Sequence, residues 1–150
     1  MKIIVCVDNQ NGMMFNHRRQ SQDRVLRKRI LELTGGKKLW MNAYSQKQFL
    51  QVNGNMPKEQ EQSGQLGQSG QIQADEAFLE KAGPGGPCCV EDRSVAPFAG
   101  RVERVVLYRW DRAYPADLYW DLSLEGWTLA RREEFPGFSH EIITKEVYIP

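Results

Sequence analysis

Apolar side chains come in short bursts along this chain, and the spacing inside the bursts changes from one to the next. Lys2-Ile3-Ile4-Val5-Cys6-Val7-Asp8 is β-branched and almost unbroken, which predicts a strand covered on both faces. From Asp23 the period lengthens: Val25, Leu26, Ile30 and Leu33 recur at helical spacing while Arg24, Arg27, Lys28 and Glu32 take the other side. Ser21 or Asp23 suits the start of that helix, and Gly35-Gly36 suits its end. Lys38-Leu39-Trp40-Met41 reads as a second buried strand. Ser45-Gln46-Lys47-Gln48 then has the form of a capping box, opening a short helix through Phe49 and Leu50.

The pattern is lost between 51 and 73, where Gln, Gly, Asn and Ser replace nearly every large apolar residue; this predicts a flexible insertion within a single domain. Asp75 to Ala82 reads as a short helix with Phe78 and Leu79 inward and Gly83 as its C-cap, followed by a Gly/Pro loop and a brief strand, Cys88-Cys89-Val90. Three further strands are expected, at Arg104 to Trp110, Trp127 to Phe135 and His140 to Ile149. Strands and helices alternate first, and strands alone follow. That order predicts a single α/β domain whose mixed, mostly parallel sheet ends in antiparallel C-terminal strands.

Composition narrows the function classes. A chain of 150 residues is long enough for one real core, burying about two thirds of its unfolded surface. The net charge of +1 excludes a global basic footprint for nucleic acid and leaves only a local patch. No apolar run approaches the ~20 residues of a bilayer span, and the start lacks a basic segment followed by an apolar one, so a cytoplasmic protein without membrane contact is expected. Cys6 in a strand and the adjacent Cys88 and Cys89 do not form a disulfide framework, which agrees with that compartment.

Candidate chemistry concentrates between Gly12 and Asp23, just past the carboxyl end of the first strand, where open α/β sheets place their ligands. Arg18 and Arg19 suit a clamp for phosphate or carboxylate, or else one of them pairs with Asp8 or Asp23. Asp23 either contacts a ring's amidine-like nitrogens or serves the helix N-terminus. His17 reads as a loop histidine with acid–base chemistry as the sharper alternative, and His140 as structural. Met13, Met14 and Phe15 line a pocket or pack the loop. Trp110, Tyr114, Tyr119 and Trp120 either stack bases or fill the core, and Cys88-Cys89 reads as a small buried pair.

The order of these motifs resembles the dihydrofolate reductase fold. Ile4-Val5-Cys6-Val7-Asp8 with Gly12-Met13 resembles that family's first strand and the start of its mobile loop. Asp23 stands where the family keeps its substrate-binding carboxylate, and Trp40-Met41-Asn42-Ala43-Tyr44-Ser45 where it has a strand, turn and helix. Tyr114-Pro115-Ala116-Asp117, Trp127, Phe135-Pro136 and Glu146-Val147-Tyr148 resemble its closing hairpin. The resemblance implies NADPH, held by Gly-Arg in one turn and a Gly-Gly pair in another. Here those places carry Asn42-Ala43 and Glu91-Asp92-Arg93-Ser94, so no cofactor is expected, and NADPH-dependent reduction with it.

The Gly-Met-x-Phe-Asn-x-Arg-Arg-Gln-Ser-x-Asp stretch also resembles a set of short, uncharacterised clostridial proteins, some labelled ribonuclease Z. That label implies a two-zinc H-x-H-x-D-H cluster, and this chain has two histidines without such spacing. The expectation is therefore a small anionic nucleotide- or pterin-like ligand between the Gly12 to Asp23 stretch and the Met41 to Ser45 turn. Arg18 and Arg19 would take the anion and Asp23 the ring, with Met14, Asn42 and Ser45 completing the site and no metal. The alternatives are an RNA-binding or RNA-processing protein using Arg18, Arg19, Arg24, Arg27 and Lys28, and a protein-interaction module using the Gln-rich insertion. Oligomeric state is left open.

Overall fold

The unbroken apolar run of residues 2 to 7 lies at the middle of a seven-stranded sheet, in a computed structural model that describes residues 1–52 and 71–150. In chain order the strands are β1 (Lys2–Val7), β2 (Gly12–Phe15), β3 (Arg18–Arg19), β4 (Leu39–Met41), β5 (Ile72–Ala74), β6 (Pro87–Val90), β7 (Arg104–Arg109), β8 (Leu118–Tyr119), β9 (Thr128–Phe135) and β10 (Ile143–Ile149). The helices are α1 (Arg24–Leu33), α2 (Ala43–Val52) and the single turn α3 (Phe78–Lys81), with a 3-10 segment at Ala96–Arg101.

The sheet order is β5-β4-β6-β1-β7-β10-β9. β1 pairs in parallel with β6 and β7, and the antiparallel β10 and β9 close one edge, as the change from alternating elements to strands alone implied. Alternation within β1 divides the core. Ile3, Val5 and Val7 face a cluster with Phe78, Leu79, Val95 and Leu107, while Ile4 faces one built on Leu26, Ile30, Phe49 and Tyr108. Both faces are covered by buried apolar side chains, which is why the run needed no polar positions.

Local capping departs from expectation in two places. Asp23, in extended conformation, caps α1 by accepting from the Val25 and Leu26 amides, in line with one of the two N-caps expected. In α2, however, Asn42 is the cap: its Oδ1 accepts from the Ser45 amide at 2.8 Å, so Ser45 lies inside the first turn and the capping box is displaced by three residues. The short helix α3 ends at Ala82 in extended conformation, not at Gly83. Of the insertion expected at 51–73, residues 51–52 complete α2 and 72–73 belong to β5; residues 53–70 lie outside the described part. Among the described residues no helix is long and apolar enough to cross a membrane.

The Gly12 to Asp23 stretch is structured where a loop was expected. β2 and β3 form a hairpin whose two-residue turn, Asn16-His17, has φ of 53° and 62° at both positions. That is the turn type whose twist suits a hairpin, though it normally carries glycine second. β8 joins the far side of β2, giving a three-stranded flap, β3-β2-β8, over the carboxyl end of the main sheet. Asp8 anchors the flap. Its buried carboxylate accepts from the amides of Gln10 and Gly12 at 2.8 Å, from Tyr114 at 3.1 Å and from the Gln20 side chain at 3.0 Å. Burial would raise this carboxyl, but the hydrogen bonds from Gly12, Tyr114, Gln10 and Gln20 prevail and hold it below its ordinary value.

Candidate functional site

Flap and sheet border an open cavity of about 580 Å³ lined by Met14, His17, Tyr44, Asp92, Asp117 and Leu118. Met14, His17, Asp117 and Leu118 belong to the flap and its borders; Tyr44 follows β4 and Asp92 follows β6, so the floor is the carboxyl end of parallel strands. The cavity touches the Gly12 to Asp23 stretch through Met14 and His17 and the Met41 to Ser45 turn through Tyr44. Its wall residues are mostly others. Of the six expected ligand contacts, Met14 lines it.

The remaining five are occupied as follows. Arg19 donates to Glu91 through Nε at 2.9 Å and Nη2 at 3.1 Å, and its guanidinium lies 4.4 Å from the centre of the Tyr44 ring. The same Glu91 accepts from Ser45 Oγ at 2.7 Å and Gln48 Nε2 at 3.3 Å. Arg19 is therefore not half of a free anion clamp; its partner is a carboxylate that neither alternative named. Asn42 caps α2 and donates through Nδ2 to Asp92 at 2.7 Å. Arg18 is exposed and has no ion-pair partner among the described residues. Asp23 is fully buried and faces the loop before β10 instead of the large cavity.

Around Asp23 the side chains form a chain of contacts. Asp23 accepts from the Phe138 amide at 2.9 Å and the Ser139 amide at 2.8 Å, and its Oδ2 lies 2.9 Å from His140 Nδ1. Burial opposes the charge, but the bonds from Phe138, His140, Ser139 and Leu26 outweigh it and hold the carboxyl well below the usual range. An ionised Asp23 offers lone pairs only, so it accepts the Nδ1 proton of His140 and fixes how the ring is turned. His140 Nε2 faces Ser21 Oγ at 2.9 Å and the Tyr114 hydroxyl at 3.3 Å, while Trp110 stacks on the ring at 4.7 Å. His140 was expected to open a strand; a turn closed by the Gly137 amide on the His140 carbonyl places it before β10 and sends its ring inward.

The site residues that the sequence reading left out are Tyr44, Asp92, Asp117 and Leu118. Tyr44, Asp92 and Asp117 stand inside motifs that the sequence singles out, Asp92 among the carboxylates at the dinucleotide place, but nothing local marks which way a side chain beside a turn will face. Two places bear on a dinucleotide. The α2 N-terminus, a natural phosphate seat, already gives its Ala43 amide to the Glu76 carboxylate at 3.0 Å and its Ser45 amide to Asn42. Asp92 stands beside it. Carboxylates thus fill positions that a pyrophosphate needs, and the residues do not fit that group.

The other candidates resolve by burial. Cys6, Cys88 and Cys89 are free thiols within strands, and burial pushes all three up, Cys88 to about 12. Arg27 is half-buried and Arg24 stacks on Phe138 at 4.3 Å. Arg18, Arg24 and Lys28 remain on the surface from the basic group considered for RNA. Among the described residues, no three or more His, Cys, Asp and Glu side chains gather as a metal ion requires.

The mixed sheet, its strand order and its flap define an α/β protein of dihydrofolate reductase-like fold. A dihydrofolate reductase from Enterococcus faecalis, complexed with NADP(H) and RAB-propyl, superimposes with a TM-score of 0.60, covering 99% of this chain and 94% of that one at 10% sequence identity. At that identity the likeness is one of fold. No protein-family model matches the chain, and no curated protein sequence matches it.

Proposed function

We propose that this chain is a cytoplasmic ligand-binding protein that holds a small nucleotide- or pterin-like compound in the cavity under its flap, outside NADPH-dependent reduction. The supporting observation is the cavity itself: about 580 Å³ at the carboxyl end of a parallel sheet, with one tyrosine, one histidine and two carboxylates among apolar walls. Ring N–H donors of the ligand face Asp92 and Asp117. Asp23, spent on α1 and the loop before β10, takes no part. The anionic group lies toward Arg18, which adjoins the lining residue His17 and has no carboxylate of its own among the described residues. The carboxylates at the α2 N-terminus support binding without a dinucleotide.

Native mass spectrometry of freshly purified protein, followed by calorimetry with pterin-6-carboxylate and guanosine monophosphate, tests this reading. The expected result is saturable binding of at least one of the two, weakened about tenfold in Asp117→Asn, the size of one charged hydrogen bond, with the melting temperature unchanged. Failure of the folded protein to bind either compound overturns it. Co-purifying heterogeneous RNA released by salt would replace it with the RNA reading.

A further inference from the structure

A second, much smaller cavity lies beside Asp23, and Ser21, Asp23, Leu26, Arg27, Gln48 and Glu91 are among its lining residues. At about 20 Å³ it has room for roughly one water-sized oxygen. Ser21 lines this slot and is only half-buried. Ser21 Oγ, His140 and Asp23 form an unbroken line: Oγ to Nε2 at 2.9 Å, and Nδ1 to Oδ2 at 2.9 Å. His140 and Asp23 are both buried, the ring is stacked on Trp110, and the contact of Nδ1 with Asp23 aims Nε2 at Ser21 Oγ, with the Tyr114 hydroxyl 3.3 Å from the same nitrogen.

The slot also carries a guanidinium with no ion-pair partner among the described residues. Arg27 donates through Nη1 to Gln22 at 3.2 Å and to the Gln48 carbonyl at 3.4 Å; its buried Nε–H has no hydrogen-bond partner, and no carboxylate lies within ion-pair distance, among the described residues. Glu91, on the same lining, is already engaged by Arg19, Ser45 and Gln48. A hydroxyl on a one-oxygen slot, an imidazole hydrogen-bonded to it, a carboxylate orienting that ring and a guanidinium on the slot whose Nε–H has no partner among the described residues are the parts that acyl transfer needs.

We propose that Ser21 is a nucleophile for small activated esters, with His140 as its general base, Asp23 as a positioning residue and Arg27 facing the oxyanion. Ser21 Oγ bonds to the ester carbonyl carbon as its proton passes to His140 Nε2, and the carbonyl electrons move onto an oxygen held in the slot. Collapse breaks the bond to the leaving alcohol, which takes the proton from Nε2. Water then attacks the acyl-serine, giving one proton to His140 and through it to Ser21, and releases the acid. The overall change is ester plus water to acid plus alcohol. This assignment is independent of the ligand under the flap, because the two cavities share no lining residue.

The test uses the full chain with p-nitrophenyl acetate as substrate and diisopropyl fluorophosphate as probe, with peptide mass mapping. The expected result is one phosphoryl adduct, on Ser21, and ester hydrolysis that falls about 100-fold or more in Ser21→Ala and in His140→Gln. Ser21→Cys keeps the fold and should move labelling to iodoacetamide. Circular dichroism confirms that each variant is folded. A probe adduct absent from Ser21, or undiminished hydrolysis by folded Ser21→Ala, overturns the proposal and leaves the contact as packing between α1 and the closing turn.

Discussion

Asp23 and His140 are 117 positions apart in the chain and 2.9 Å apart in space, and their contact fastens the start of α1 to the turn before β10. The carboxylate serves two ends at once: it caps the helix through the Val25 and Leu26 amides and receives the Phe138 and Ser139 amides from the turn.

That double role sets a pH dependence. The folded state holds Asp23 well below the ~3.9 of an unfolded aspartate, so its stabilisation is complete above about pH 5 and is lost as the pH falls through 4 toward the folded value. Asp23→Ala should cost about 3 kcal/mol at pH 7, the loss of a cap and of a buried charge's hydrogen bonds, and the gap to wild type should narrow below pH 4. Urea titrations at pH 7 and pH 3 measure it; an equal gap at both would contradict the assignment.

Gly137 is required by the same contact. A Cβ there would lie 2.6 Å from Asp23 Oδ2, 2.9 Å from Ile143 Cδ1 and 3.0 Å from the His140 carbonyl oxygen. Gly137→Ala should therefore destabilise the fold by about 2 kcal/mol, read from the midpoint of chemical unfolding.

Arg19 and Glu91 form a bidentate pair whose side chains are only 18% and 12% exposed. Removing either partner strands the other. Arg19→Met and Glu91→Gln should each destabilise by about 2 kcal/mol, while the double variant costs clearly less than their sum, a coupling of about 1 to 2 kcal/mol in a double-mutant cycle. Additive losses would mean the pair is not coupled.

His17 holds a left-handed conformation, φ 62°, at the second position of the flap turn and also lines the large cavity. Glycine fits that backbone without strain, so His17→Gly should raise stability by about 1 kcal/mol while weakening pterin-6-carboxylate or guanosine monophosphate binding. Thermal melts and calorimetry on the same samples separate the two effects; a gain in stability with unchanged affinity would make the histidine incidental to binding.

By itself the sequence determined the main sheet's longer strands, the first two helices and their order, because period and branching are local properties. The run from Lys2 to Val7 had to be a doubly covered strand, Val25 to Leu33 an amphipathic helix, and the late strands the antiparallel edge. Tertiary structure decided what each polar group does. Arg19 and Glu91 are separated by 72 positions, Asn42 and Asp92 by 50, and no pattern within a window of a few residues specifies such pairings. The flap was missed for a related reason: Asn16-His17 lacks the glycine that marks such a turn, and its strands are held by pairing of β2 with the distant β8. Which carboxylates face the cavity, as Asp92 and Asp117 do, and which bind backbone amides, as Asp8 and Asp23 do, is likewise a matter of packing.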